Sequence, residues 1–268
     1  MSEKLAKSMS GTGEHVMSKW PATGAQEFYD DQYRSQGTSL VEWLRFCAVE
    51  KVNSIQLCTA GRDVNDVLEI GCGTGAILER MDAVGFAKNF WAMDVSAEAI
   101  RVVQSLEIRK LKSAVVGEVK EIGSLFDRRF DLIILSHVLE HLADPQGTLD
   151  RALAQADYVF VEVPLESTIG LNLKSWVRAL FGCDRKENIS GHIQFFSKRT
   201  FEMVLQRCSA AILSSRRYVP MSDELLRRNN KGKFKRRLIL CLYSLFGERL
   251  WGILWYSHYA ALVSRHAD

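Results

Sequence analysis

The 268-residue chain has no pair of cysteines at CxxC spacing; Cys47, Cys58, Cys72, Cys183, Cys208 and Cys241 are scattered along it. That excludes a small disulfide scaffold and reads as reduced, mostly buried thiols in a cytosolic setting. No 18-residue stretch is free of charge, so no helix clearly spans a membrane. The opening MSEKLAKSMSGTGEHVMSKW has no apolar core of the kind a secretory signal needs, and its Ser, Gly and Lys content predicts a flexible tail over 1–22. Neither a fixed-period repeat nor a low-complexity block occurs. Excess charge is also scarce, since 35 Lys plus Arg against 32 Asp plus Glu leave +3. That is too little to imply a nucleic-acid partner unless it is concentrated somewhere. What remains, 47% hydrophobic and 25% charged, is an ordinary globular chain long enough for a substantial core.

Past the tail, AQEFYDDQYRS predicts a short helix carrying Phe28, Tyr29 and Tyr33, and Ser39-Leu40-Val41-Glu42 reads as a capping box that starts a second one. From Asp66 onward short apolar runs alternate with helical patterns. The runs are VLEI (67–70), NFWAMDV (89–95), SAVVG (113–117), FDLIILS (130–136) and YVFVEVP (158–164). Such alternation predicts an α/β fold with a parallel sheet covered on both faces, binding its ligand at the carboxyl ends of the strands. TIGLNLKSWVRALFG (168–182) has helical spacing, Ser197 can cap a helix through Phe201, Val204 and Leu205, and 210–219 and 257–264 read as two last strands.

Chemistry concentrates at Val67-Leu68-Glu69-Ile70-Gly71-Cys72-Gly73-Thr74-Gly75. Glycines there permit a tight strand-to-helix turn and let backbone amides approach a ligand. A glycine loop alone also fits dinucleotide binding. Glu69, two residues before the first glycine, suits a ligand with an ammonium or sulfonium charge and would repel a pyrophosphate. Asp94, 23 residues after Gly71, can accept hydrogen bonds from both hydroxyls of a ribose.

VLEIGCGTG, AMDVS and FDLIILSHVLEHL, in this order and spacing, resemble the class I S-adenosylmethionine-dependent methyltransferases. The resemblance covers about residues 65–165 and continues loosely through GHIQFFSKRTFEMVL. It implies a Rossmann-like seven-stranded, mostly parallel sheet with an antiparallel last strand. It further implies a domain over 23–268, with an N-terminal lid (23–60), a post-strand-5 insertion (166–196) and a helical insertion (221–256). On this resemblance Glu69 and the loop Gly71, Cys72, Gly73 and Gly75 hold the methionine moiety and Asp94 with Val95 the ribose. Glu118 and Val119 flank the adenine, Ser136 ends the fourth strand beside the cofactor, and Tyr33 contributes from the lid. S-adenosyl-L-methionine is then the methyl donor and S-adenosyl-L-homocysteine the product. Phe28, Tyr29 and Tyr33 have a second reading, as packing of the first helix on the sheet.

The acceptor is expected to be a small molecule, first a hydroxyl of a sugar or glycan precursor, second a quinone or other ring hydroxyl. No NPPY-like tetrad follows the fourth strand, which disfavours amide or exocyclic-amine methylation. A non-catalytic module binding the same cofactor is the alternative of another class. A hydroxyl acceptor needs a base, and His137 and His192 are the candidates. His137 and His141 form an HxxxH pair on the helix that SHVLEHL is expected to start after the fourth strand, but two ligands without a third give no metal site. Leu165 stands where relatives with small-molecule acceptors often have Asn, so no role is carried over to it.

Residues 227–237, RRNNKGKFKRR, hold seven basic residues and no acidic one; removing them takes the net charge from +3 to −4. LILCLYSLFGERLWGILW (238–255) follows. Together 227–255 read either as an interfacial anchor on an anionic membrane or as a helical insertion packed on the sheet edge or in a homodimer. The expected location is cytoplasmic, peripheral at the membrane if the anchor reading holds.

Overall fold

The computed structural model describes residues 24–166, 192–218 and 257–265, together with Cys241, Ser244, Leu245 and Gly247. The tail over 1–22, the helix expected in 168–182 and all but those four residues of 221–256 lie outside the described residues, as does the side chain of Phe28.

The sheet has seven strands: β1 (Asp66–Ile70), β2 (Asn89–Asp94), β3 (Leu111–Val116), β4 (Phe130–Ser136), β5 (Ala156–Leu165), β6 (Ala210–Tyr218) and β7 (Ser257–Arg265). Their order is β3-β2-β1-β4-β5-β7-β6. The first five pair in parallel, whereas β7 runs antiparallel to both β5 and β6. Strand order reverses between β1 and β4, where open α/β sheets bind ligands. β1, β2 and β4 are buried almost throughout, as apolar runs covered on two faces should be.

Side chains alternate between two cores. Leu68, Ile70, Met93, Ile133, Val161 and Val163 face α5 (Pro145–Gln155) and α6 (Lys198–Arg207). Val67, Phe90, Leu132, Ile134 and Phe160 face α1 (Gly24–Cys58), α2 (Ala76–Ala83) and α3 (Ala97–Ser105). The expected Ser197 cap is present, as a capping box with Thr200, and at another helix Ser96 Oγ accepts from the Ala99 amide. A short α4 (Ile122–Leu125) follows β3. Among the described residues no helix is long and apolar enough to cross a membrane.

Two local expectations are corrected. No helix starts at Ser39, because α1 runs unbroken for 35 residues. Its two halves are held by separate partners. Asp30 accepts from Ser96 Oγ and from the Glu98 amide, while Arg45 makes a two-pronged contact to Glu79 at 2.6 and 2.7 Å. Held at both ends, the helix continues through Gly37-Thr38-Ser39 against their weak propensity. Nor does SHVLEHL form a helix. His137 leaves β4 in the left-handed region, at φ 59, and only Leu139–His141 coil, as a 3-10 turn. The His137 amide donates to the Glu162 carbonyl at 3.0 Å, which extends the ladder to β5 by one bond and forces the turn at the next residue.

Candidate functional site

The loop after β1 is shaped by three glycines with positive φ: Gly71 at 69°, Gly73 at 52° and Gly75 at 73°. The Gly71 and Cys72 amides donate to the Met93 carbonyl at 2.8 and 3.2 Å, which clamps the turn to the end of β2. A Cβ on Gly71 would lie 2.6 Å from Val138 Cγ2, and one on Gly73 would lie 2.8 Å from Tyr33 Oη. Gly71→Ala therefore combines left-handed strain with a clash and is expected to cost about 2–3 kcal/mol. The check is a fall in Tm of roughly 4–10 °C; an unchanged Tm would mean that the loop has another conformation.

Asp94, buried at the end of β2, joins the two ends of this cradle. Its Oδ2 accepts from the Gly73 amide at 2.8 Å and its Oδ1 from the Ser96 amide at 2.9 Å. Burial raises its pKa, opposed by these amides. Glu69 is 2% exposed, and its Oε2 has no hydrogen-bond partner. Burial pushes its carboxyl up to about 8, against the pull of Lys51. Tyr33 closes over the loop from α1; burial, then Asp94, raise its phenol well above the ordinary value. Tyr29 packs edge-on against the His141 ring at 5.9 Å. Cys72 is buried in the turn, where burial and then Asp94 raise its thiol pKa. Val95 is half-buried beside Asp94. Glu118 and Val119 lie further out, at the 3-10 turn Val119–Glu121 after β3; exposed Glu118 pairs with Lys120 at 2.9 Å.

The two candidate histidines fall in different clusters. His137 turns under the strand ends, with Nδ1 3.0 Å from Glu140 Oε1 and Nε2 3.4 Å from Glu162 Oε1. The Glu140 contact is one of charge, out of line for a strong hydrogen bond. Burial and Lys51 would lower the His137 pKa, but the two carboxylates hold it above the ordinary value. Around Glu162 stand Ser136 Oγ at 3.0 Å, Tyr218 Oη at 2.5 Å and His258 Nδ1 at 2.8 Å. Burial alone would raise the Glu162 pKa; hydrogen bonds from His137 and His258 hold it well below the usual range. His258 is pushed down to about 4, first by burial and then by His137.

His192 lies beside the segments that follow β4 and β5. The amides of Ile193 and Gln194 both donate to the Glu140 carbonyl at 2.9 Å, and the Glu166 amide donates to the Phe196 carbonyl at 3.1 Å. This stitching sets His192 Nδ1 2.8 Å from Glu166 Oε2 and its ring 4.8 Å from that of His141. His137 and His141, expected as one HxxxH pair, thus turn to separate partners.

The structure brings Glu69, Gly71, Gly73, Gly75, Asp94 and Tyr33 together, with Ser136 and His137 in the adjoining network. Sequence reasoning missed Glu162, Tyr218 and His258. A carboxylate inside the apolar run YVFVEVP was the signal, because such a group must find partners.

The chain is 29% identical over 146 residues to a ubiquinone biosynthesis O-methyltransferase of Erwinia tasmaniensis, covering 52% of this chain and 58% of that protein. It spans about half the length of the other curated relatives. Among solved structures, magnesium protoporphyrin IX methyltransferase from Synechocystis PCC 6803 with bound SAH superposes with TM-score 0.58 at 12% identity, over 90% of this chain and 98% of that one. The [4+2]-cyclase SpnF superposes with TM-score 0.54 at 13% identity, over 82% of each chain. At such identities the likeness establishes the fold, and a fold does not fix a reaction. The methyltransferase domain family matches residues 43–214, well over half of the sequence, and the chain belongs to that family.

Proposed function

We propose that the protein is an S-adenosylmethionine-dependent O-methyltransferase whose acceptor is a small molecule carrying a ring hydroxyl. The observation that carries the cofactor half is Glu69, a buried carboxylate with an unpartnered oxygen below a glycine cradle that any side chain would fill. A cationic group is the natural partner for such a carboxylate, and no phosphate would be tolerated there. When bound, S-adenosylmethionine supplies a methyl carbon on a sulfonium, open to in-line displacement by an oxygen nucleophile. Glu69 would hold the ammonium of the amino-acid end, in the space the glycines leave, and Asp94 the ribose. Tyr33 and Tyr29 would exclude water and offer ring faces to positive charge.

For the acceptor, Glu166 orients His192 through Nδ1, the arrangement in which the other ring nitrogen can accept a proton from a hydroxyl. His137, with a carboxylate on each ring nitrogen, positions the strand ends instead. The similarity to ubiquinone biosynthesis O-methyltransferases supports a ring hydroxyl over a sugar hydroxyl. The test is release of S-adenosylhomocysteine from S-adenosylmethionine with simple phenols and with nucleotide sugars. Turnover on the sugars alone would overturn the acceptor class.

Cofactor binding should also depend on pH through Glu69. With its carboxyl near 8 in the free protein, a cationic ligand must expel the proton below that pH. The contribution therefore tightens Kd as pH rises toward 8, by at most about tenfold per pH unit. The ligand's own amino group loses its charge as pH rises and acts in the opposite sense. The difference between wild type and Glu69→Gln in calorimetry with S-adenosylhomocysteine isolates the Glu69 part. Parallel pH curves for the two proteins would remove Glu69 from the site.

A further inference from the structure

We propose that His137, Glu162 and His258, with Tyr218, form a zinc site beneath the carboxyl ends of β4, β5 and β6 and the amino end of β7. Four ligand atoms converge there. His137 Nε2 lies 3.3 Å from His258 Nδ1 and 3.4 Å from Glu162 Oε1. His258 Nδ1 lies 2.8 Å from that same oxygen, and Tyr218 Oη lies 2.5 Å from Glu162 Oε1 and 3.3 Å from His258 Nδ1.

Two ring nitrogens facing each other at 3.3 Å cannot both carry hydrogen, so at least one presents a lone pair to the other. Glu140, against His137 Nδ1, favours the tautomer with its proton on that atom. An ion that displaces the proton shared between His137 Nε2 and Glu162 would then find the Nε2 lone pair aimed into the cluster. A ligating histidine whose second nitrogen meets a carboxylate is the usual outer-shell arrangement around a metal. Ser136 Oγ does the same for Glu162, at the oxygen turned away from the centre.

The spacing suits the ion. Tetrahedral zinc with bonds of about 2.0–2.1 Å separates its ligand atoms by roughly 3.3–3.4 Å, which the two contacts of His137 Nε2 match; the hydrogen-bonded contacts of Glu162 Oε1, 2.8 Å to His258 Nδ1 and 2.5 Å to Tyr218 Oη, must open by about 0.5–0.9 Å to admit the ion. Two imidazole nitrogens and one carboxylate oxygen are ligands of the kind zinc takes, and the Tyr218 phenol, which donates to Glu162 Oε1, stands at the fourth position. Glu162 and His258 are buried and His137 is 23% exposed at its side chain, so such a site is closed by protein, as structural zinc sites are. The ion would tie the antiparallel β7 and the edge strand β6 to the turn after β4, elements far apart in sequence.

The test uses the full chain, stripped with a chelator and dialysed against zinc sulfate. One zinc per chain is expected, and cobalt in its place should show the intense visible absorption of a tetrahedral ion. His258→Ala and Glu162→Gln should lose the metal, Glu140→Gln should weaken it about 10–100-fold, and His192→Ala should retain it. Retention by His258→Ala overturns the proposal. Loss in His192→Ala alone would also overturn it, since Glu140, His141 and His192 form a second group of potential ligands. If the variants fail to fold, wild type decides: no retained zinc, or a six-coordinate cobalt spectrum, sinks the site.

Discussion

Asp94→Asn is expected to weaken S-adenosylhomocysteine binding by about a hundredfold while the chain stays folded. Each carboxylate oxygen of Asp94 already receives a backbone amide, Gly73 at one and Ser96 at the other. An asparagine side chain, whichever way it is turned, sets its NH2 against one of those donors. One charge-assisted bond is lost outright and the other is weakened, and a bond to a charged group is worth about 1.5–3 kcal/mol. The ribose hydroxyls that the same carboxylate would accept lose their charged partner as well. The internal bonds are lost in free and bound protein alike and are read in Tm, whereas two ribose bonds to a charged partner, at about 1.5 kcal/mol each, make about 3 kcal/mol, about a hundredfold in Kd. Titration calorimetry of wild type and variant measures it, with Asp157→Asn as a control at an exposed carboxylate outside the site. A change below fivefold would mean that Asp94 shapes the loop without touching the ligand.

The group of residues proposed for the cofactor was legible as a group because it is local. Glu69 and the glycines lie within seven residues, and Asp94 closes the next strand, so spacing alone brings them together. The strands were equally legible, since apolar runs buried on two faces carry a strong signal. Legibility fails where partners come from separate elements. Glu162 and His258 are 96 positions apart and meet because β7 inserts between β5 and β6. Nothing in either strand announces that order, although a lone carboxylate in an apolar strand announces that some partner exists. The break expected at Ser39 failed for a related reason. Gly37-Thr38-Ser39 is a poor helical sequence, but Asp30 and Arg45 bind different parts of the fold and draw the helix across it. Tertiary contacts outweigh a few tenths of a kcal/mol of propensity per residue. His137 and His141 share a spacing but not a site, because the chain turns left-handed at His137 before coiling.

His192→Ala should lower kcat on a phenolic acceptor by about 10²–10⁴-fold, with the Kd for S-adenosylhomocysteine within about twofold of wild type. Glu166→Gln keeps the ring but replaces the charged partner at Nδ1 with an amide that can present the wrong group. It should cost at least about tenfold, again in kcat. Imidazole added to the assay should restore part of the activity of His192→Ala and none of that of Glu166→Gln, which still fills the pocket. His137→Ala should behave differently, lowering Tm because it leaves Glu140 and Glu162 buried without their shared partner. If His137→Ala stays folded and loses turnover while His192→Ala keeps kcat within threefold, the base is His137 and not His192. The choice of acceptor follows from the same chemistry. A phenol ionises near 10, some three to four units above an imidazole, a gap that proton transfer concerted with methyl transfer can cross. An aliphatic hydroxyl is far less acidic, so the same dyad would leave most of that barrier standing. The ratio of turnover on phenols to turnover on sugars is therefore expected to collapse in His192→Ala, and a ratio that survives would separate the base from the specificity.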